Sequence, residues 1–208
     1  YDKSSNMVKE AKKNLKKHNL NENLIFCNDF ENPKKIKRNY YDCILGLGAF
    51  YYSKNIFKTL NKQTQILRKN GKIIFSLRNK LFNISTFNNY TKIFFKELFN
   101  EDRLIGKEKL LLKKILRNFD LRNKKKNIDD VGVFSTSHNP LNIDDELLKK
   151  VGLKKENIYF YHYHYLPPYF ENMSKKKFYL NSLKIEDPND WRGNFLASGF
   201  ILECKKSK

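Results

Sequence analysis

Few stretches of this chain combine residue types that can do chemistry. The run "YDCILGLGAFYY", residues 41–52, ends a short apolar stretch in Gly46 and Gly48 and sets Tyr51 and Tyr52 just beyond. It is too short for a comfortable helix, and glycines that close a strand let another group approach the backbone. Arg78 ends "KIIFSLRN"; its planar fork can hold a carboxylate or phosphate through two hydrogen bonds. His138 lies in "STSHNPLNIDDELL", and an imidazole can take a proton from a hydroxyl near neutral pH. The alternative for His138 is a loop histidine with a local capping role. His162 and His164 alternate with tyrosines in "YFYHYHYLPP", so both point to one face of a strand. Buried, hydrogen-bonded strand histidines are the plainer reading of that pair, with His164 nearer the ligand edge. His18, at the end of a helix, is expected in solvent.

These residues need elements to position them. "SSNMVKEAKKNLKKHN" opens with serines suited to capping and spaces Met7, Ala11 and Leu15 as one helical face. "NLIFCNDF" reads as a strand ending at an acidic residue, Asp29, and "YDCILGLG" as the next strand. "SKNIFKTLNKQTQILRKNG" reads as a helix that stops at Asn70-Gly71, and "KIIFSLRN" as a third strand. Such alternation with short joins implies crossover connections: an α/β fold with a doubly wound, mostly parallel sheet. Residues 79–141 break the rhythm with two helical stretches, "LFNISTFNNYTKIFFKELF" and "KEKLLLKKILRNF". The alternation then resumes with "NIDDELLKKVGL" as a short helix, "NIYFYHYHYL" as a strand and "NFLASGFILECKK" as the last strand. The chain thus reads as one domain over residues 1–208, with a helical insert at 79–141 that forms a lid. The alternative is a packing elaboration that touches no ligand. Ligands of open α/β sheets sit outside the carboxyl ends of the strands. The helix after His138 must return the chain from that edge, where Arg78 and Asn79 also stand.

Net charge is +20, from 42 Lys and Arg against 22 Asp and Glu. That raises nucleic acid as a partner. Yet only seven of the 42 are Arg, the residue that forks onto phosphates and base edges, and the lysines are scattered. Their densest run is "RNKKKN", residues 122–127. A nucleic-acid partner is therefore kept open but not favoured. Cys27, Cys43 and Cys204 fall in apolar runs without metal spacing, so they read as buried thiols in a reducing, cytoplasmic setting, and no metal site is expected. No apolar stretch approaches the ~18 residues of a membrane span.

In this order the pieces resemble the class I S-adenosylmethionine-dependent methyltransferases, over residues 1 to about 78 and again from roughly 138 to 204. "YDKSSNMVKEAKKN" is similar to that family's second-strand end with D-x-S-x-x-M and a helix. "CNDFE" resembles its third-strand motif, "YDCILGLGAFYY" its fourth, and "LRKNGKIIFSL" its helix, turn and fifth strand. "LASGFILECKK" looks like its antiparallel final strand, and the insert then falls between the fifth and sixth strands. The resemblance implies S-adenosyl-L-methionine as cofactor. It implies Asp2 on the ribose diol, Met7 on the adenine face, and the Asp29 carboxylate and Phe30 amide on the adenine edge. Leu47 and Gly48 would pass alongside the methionine part. Tyr51, Tyr52, Arg78, Asn79 and His164 would face the methyl acceptor, with His138 as base. The plainer alternatives stay open: a turn aspartate at Asp2, a core methionine at Met7, a turn glycine at Gly48, loop aromatics at Tyr51 and Tyr52. The family's glycine-rich first motif should precede residue 1, and the chain begins with Tyr1. The expectation is a native chain cut inside the second strand, binding cofactor poorly as it stands.

The expected reaction is methyl transfer to a small-molecule or glycan-precursor acceptor at oxygen, nitrogen or carbon, with an aromatic-rich lid suiting a bulky, partly apolar one. The rivals are an RNA methyltransferase and a non-catalytic methyltransferase-like partner subunit. An (Asn/Asp)-Pro-Pro-aromatic acceptor tetrapeptide is absent after the fourth strand; "LPPYF" at 166–170 follows the sixth. The acceptor and the oligomeric state are not encoded legibly.

Overall fold

A computed structural model describes residues 1–34, 36–118 and 135–207. The helices start where short polar side chains can replace missing backbone partners. Helix α1 (Ser5–Lys17) is capped by Ser4, whose Oγ accepts from the Met7 amide at 3.3 Å. Strand β1 (Tyr41–Gly46) leads to α2 (Ile56–Ile66), capped by Asn55 Oδ1 accepting from the Lys58 amide at 2.9 Å. Strand β2 (Leu67–Asn79) is the longest and carries Ile73, Phe75 and Leu77 fully buried. The insert follows as a 3-10 turn at Leu81–Ser85, α3 (Asn89–Leu98) and α4 (Gly106–Asn118). The "RNKKKN" run lies outside the described residues. Then come the two-residue β3 (Ser137–His138), a helical turn at Asp144–Leu148, β4 (Leu153–Tyr163), α5 (Lys175–Lys184), α6 (Gly193–Leu196) and β5 (Ala197–Lys206).

The sheet order is β1-β2-β5-β4, with β3 joined to the end of β2. β1 and β3 run parallel to β2, while β5 runs antiparallel to both β2 and β4. Every described strand but the last therefore points the same way. This is the mostly parallel α/β sheet with a reversed final strand that the sequence implies. Ile73, Phe75 and Leu77 of β2 and Phe200, Leu202 and Cys204 of β5, which share one face of the sheet, make the core with Leu60, Ile143 and Leu148 from flanking elements.

Three local expectations need correction. Helix α2 ends at Ile66 rather than Asn70, because the Asn39 and Tyr40 amides bond the Gln65 and Ile66 carbonyls at 3.0 and 2.9 Å and draw the chain into the sheet. Asn70, at φ 62°, then turns the chain inside β2, where Tyr41 pairs with Leu67 but Cys43 with Lys72. The "NLIFCNDF" strand shrinks to one parallel bridge, Asp2 to Cys27. Cys27 and Cys43 are exposed thiols; only Cys204 is buried.

At the carboxyl edge, Asn79 is almost fully buried, at 2% exposure. Its Nδ2 donates to the carbonyls of Gly193, Asn194 and Ala197 at 3.2, 2.8 and 2.9 Å, and its Oδ1 accepts from the Leu81 amide at 3.0 Å. Asn79→Ala strands these buried groups and is expected to cost about 2–3 kcal/mol, read as a lowered urea midpoint in equilibrium unfolding.

Candidate functional site

Two cavities open at the carboxyl ends of the parallel strands, where an open α/β sheet binds its ligands. The smaller, about 310 Å³, is bordered by Asp2, Asn28, Phe30, Gly46, Gly48 and Tyr52. The larger, about 480 Å³, lies beyond the end of β2 and is bordered by Tyr51, Arg78, Tyr161, His162 and His164, with Phe82, Asn83 and Tyr90 from the insert. Between them stand Tyr51 and Tyr52, ring centroids 4.4 Å apart.

That partition follows from local packing. A Cβ on Gly46 would sit 2.1 Å from the Phe50 ring. The missing side chain is what lets Phe50 drop into the core beside Phe75, at 5.2 Å between centroids. Gly48 takes φ 73°, favourable for glycine, and its amide donates to Ser76 Oγ at 2.7 Å, tying the loop to β2. Anchored by Phe50, the turn presents Tyr51 and Tyr52 outward. The Thr136 amide donates to the Tyr51 carbonyl at 2.8 Å and fixes it from the other side.

Of the residues assigned to the cofactor from sequence, Asp2, Phe30 and Gly48 border the smaller cavity. Asp2 Oδ1 also accepts from the Ser4 amide at 2.7 Å, beside the α1 cap. Asp29 stands off the cavity wall. Its Oδ1 accepts from the Glu31 amide at 2.9 Å and its Oδ2 pairs with Lys3 at 3.4 Å. Met7 and Leu47 are more than half exposed and are not on the wall either. Asn28 and Gln63 are; neither was singled out in the sequence, because an amide in a loop or helix has no distinguishing pattern.

On the acceptor side, Arg78 lies over both tyrosines, its Cζ 5.1 Å from the Tyr51 centroid and 5.9 Å from that of Tyr52. Burial, then the hydrogen bond to Tyr52, pushes the Tyr51 phenol up to about 12, against a lowering by Arg78; it remains protonated at neutral pH. Asn79 touches the cavity, but its amide is committed to the backbone. His164 is packed between Phe82 and Phe178, at 4.8 and 5.6 Å. His162, expected to be buried, is instead exposed, at φ 56°; its amide donates to Glu186 Oε1 at 3.0 Å. His138 is one step behind the wall that Thr136 and Ser137 form, with its Nε2 3.3 Å from Thr136 Oγ1. Burial holds its pKa below the ordinary histidine value, with Lys80 adding to that and Glu146 opposing it. Tyr161 and Gly199 had no signal in the sequence. A Cβ at Gly199 would lie 2.6 Å from the Tyr161 ring, so the glycine lets that ring lie across β5. Among the described residues no group of three or more His, Cys, Asp and Glu could hold a metal, and no helix is long and apolar enough to cross a membrane.

Residues 1–75 match the model of a methyltransferase-domain family. Among solved structures, the fold is similar to that of a candidate methyltransferase from Bacillus halodurans, at TM-score 0.54 and 11% identity over 100% of this chain and 81% of that one. The chain thus has the Rossmann-like fold of the methyltransferases, with the match to their domain confined to residues 1–75. The chain also shares its fold with a candidate sarcosine dimethylglycine methyltransferase from Galdieria sulphuraria, at TM-score 0.50 and 14% identity over 99% of this chain and 69% of that one. No curated protein sequence matches. The matched methyltransferase domain implies S-adenosylmethionine as cofactor, and the smaller cavity's wall has the chemistry for it. The wall offers the Asp2 carboxylate, the Asn28 and Gln63 amides, four aromatic rings and, at Gly48, a residue with no side chain to obstruct.

The depressed pKa of His138 has a sign that can be checked. Its contribution to stability is present above the unfolded-state value of about 6.5 and is lost as pH falls toward and through the lower folded value. The urea midpoint is expected to drop between pH 7.5 and 5.5, and to drop less in His138→Gln.

Proposed function

We propose that the chain acts as an S-adenosylmethionine-dependent methyltransferase and transfers the methyl group to a small-molecule or glycan-precursor acceptor held in the larger cavity. The observation that carries this is the pairing of two cavities across one tyrosine partition, Tyr51 on the larger and Tyr52 on the smaller. A concave site of about 480 Å³ is sized for a small molecule.

On this reading Asp2 accepts from the ribose, and Phe30 and Gly48 border the adenosyl and methionyl parts. Asp29 and Leu47 would reach the cofactor only after rearrangement of their loops, and Met7 only after movement of the first turn of α1. S-adenosylmethionine supplies an activated sulfonium methyl, and the protein's task is alignment and exclusion of water. Arg78, Tyr51, Tyr52 and His164 orient the acceptor. The insert at 79–141 serves as the lid; Phe82, Asn83 and Tyr90 on the cavity wall support that role. Neutral His138 takes the acceptor's proton through the Thr136 hydroxyl, which touches both the cavity and His138 Nε2.

Incubating the protein with methyl-labelled S-adenosylmethionine and a fractionated cell extract should place label in the low-molecular-weight fraction. Label confined to RNA would support the nucleic-acid reading instead. With an acceptor in hand, His138→Ala should lower turnover by ~10²-fold or more while leaving cofactor affinity intact, and Thr136→Val should act in the same direction. Turnover at the wild-type rate in His138→Ala would remove the base.

A further inference from the structure

We infer that the acceptor presents a carboxylate or phosphate to Arg78, so that this methyltransferase selects anionic acceptors. The inference rests on the small-acceptor reading of the larger cavity. Among the described residues on that cavity's wall, Arg78 is the one Lys, Arg, Asp or Glu. Two other cations of β2 have carboxylate partners: Arg68 pairs with Asp42, and Lys72 with Glu203 and Glu156. Lys80, just past the strand, pairs with Glu97. Arg78 makes no ion pair among the described residues. Its neighbours are the Tyr51 and Tyr52 rings, which hold the guanidinium by cation–π contact and leave its N–H groups for a ligand.

Register explains what stands beside Arg78. Ser137, Arg78, Gly199 and Tyr161 lie in one row across β3, β2, β5 and β4, so their side chains share a face of the sheet. Gly199, directly beside Arg78, has no side chain to block it, and the Tyr161 ring reaches over that glycine. The result is a cation flanked by a serine on one side and, over the glycine, by a phenol on the other. Such a pocket suits an oxyanion attached to a flat or partly apolar body. It does not suit an ammonium acceptor: the Tyr51 face already meets a guanidinium of like charge, and no described wall residue is a carboxylate.

The test is calorimetric titration of the protein with four probes: benzoate, phenyl phosphate, benzyl alcohol and benzylamine. At least one of the acids should bind about tenfold or more tighter than the alcohol, as a charge-assisted pair implies, and the amine should bind weakest. Whichever acid is preferred separates a carboxylate from a phosphate acceptor. Arg78→Gln should abolish the preference while keeping the alcohol's affinity; Arg78 is exposed, so an unchanged urea midpoint verifies the fold. Arg78→Lys should keep part of the preference, because the charge stays and the fork is lost. Equal binding of acid and alcohol, or a preference that survives Arg78→Gln, would overturn the inference and leave the small-acceptor cavity standing. If none of the four probes binds, both readings fall together.

Discussion

The buried side-chain amide of Asn79 is the contact on which the site's geometry depends. β2 reaches the carboxyl edge of the sheet with Arg78, and the next residue turns inward. Through Nδ2, Asn79 holds three carbonyls at the junction of α6 and β5, and through Oδ1 it holds the first amide of the insert. Its backbone pairs with His138. One residue therefore joins, through its side chain and backbone together, the centre of the sheet, the start of the reversed strand and both ends of the insert. The chemistry demands an amide: an aspartate of the same shape would aim lone pairs at carbonyl oxygens, and an apolar side chain would leave buried acceptors without donors.

With that edge fixed, two glycines decide where the aromatic rings go. Glycines at a strand end are commonly read as room for a ligand. At Gly46 the room is taken by Phe50, and at Gly199 by Tyr161. The protein uses absent side chains to seat its own rings, and those rings then shape the cavities. Phe50 anchors the turn that carries Tyr51 and Tyr52, and Tyr161 closes the row beside Arg78. The ligand-facing role is indirect.

This division also explains what could be read from the sequence. The order of elements was legible because apolar periodicity and caps are local, and the reversal of β5 came with the resemblance of "LASGFILECKK" to a closing strand. Gly48, Tyr51 and Arg78 were legible because strand ends in an α/β sheet converge on one edge. The end of α2 was not, since the pull of Asn39 and Tyr40 on the Gln65 and Ile66 carbonyls is a tertiary contact that overrides the Asn70-Gly71 stop signal. Nor was the packing of His138 behind Thr136, which depends on β3 pairing with the last two residues of a strand nearly 60 positions earlier. Gly199 looked like any strand glycine. Its meaning comes from the residue across the ladder, Tyr161.

The chain's charge of +20 and the single cation of the larger cavity act on different scales. At physiological salt, exposed charges are screened beyond about 8 Å, so most lysines cannot address a group inside the cavity. Several are also matched locally, as Lys155 is with Asp144 and Lys96 with Glu101. The diffuse excess can draw any anion toward the surface and raise encounter rates. It carries no information about which anion fits. On the proposed reading, discrimination belongs to Arg78, because it alone combines proximity to the cavity, a fixed plane set by two tyrosine rings and freedom from a competing carboxylate among the described residues. A basic surface and a basic site are thus separate properties, and only the second bears on the reaction.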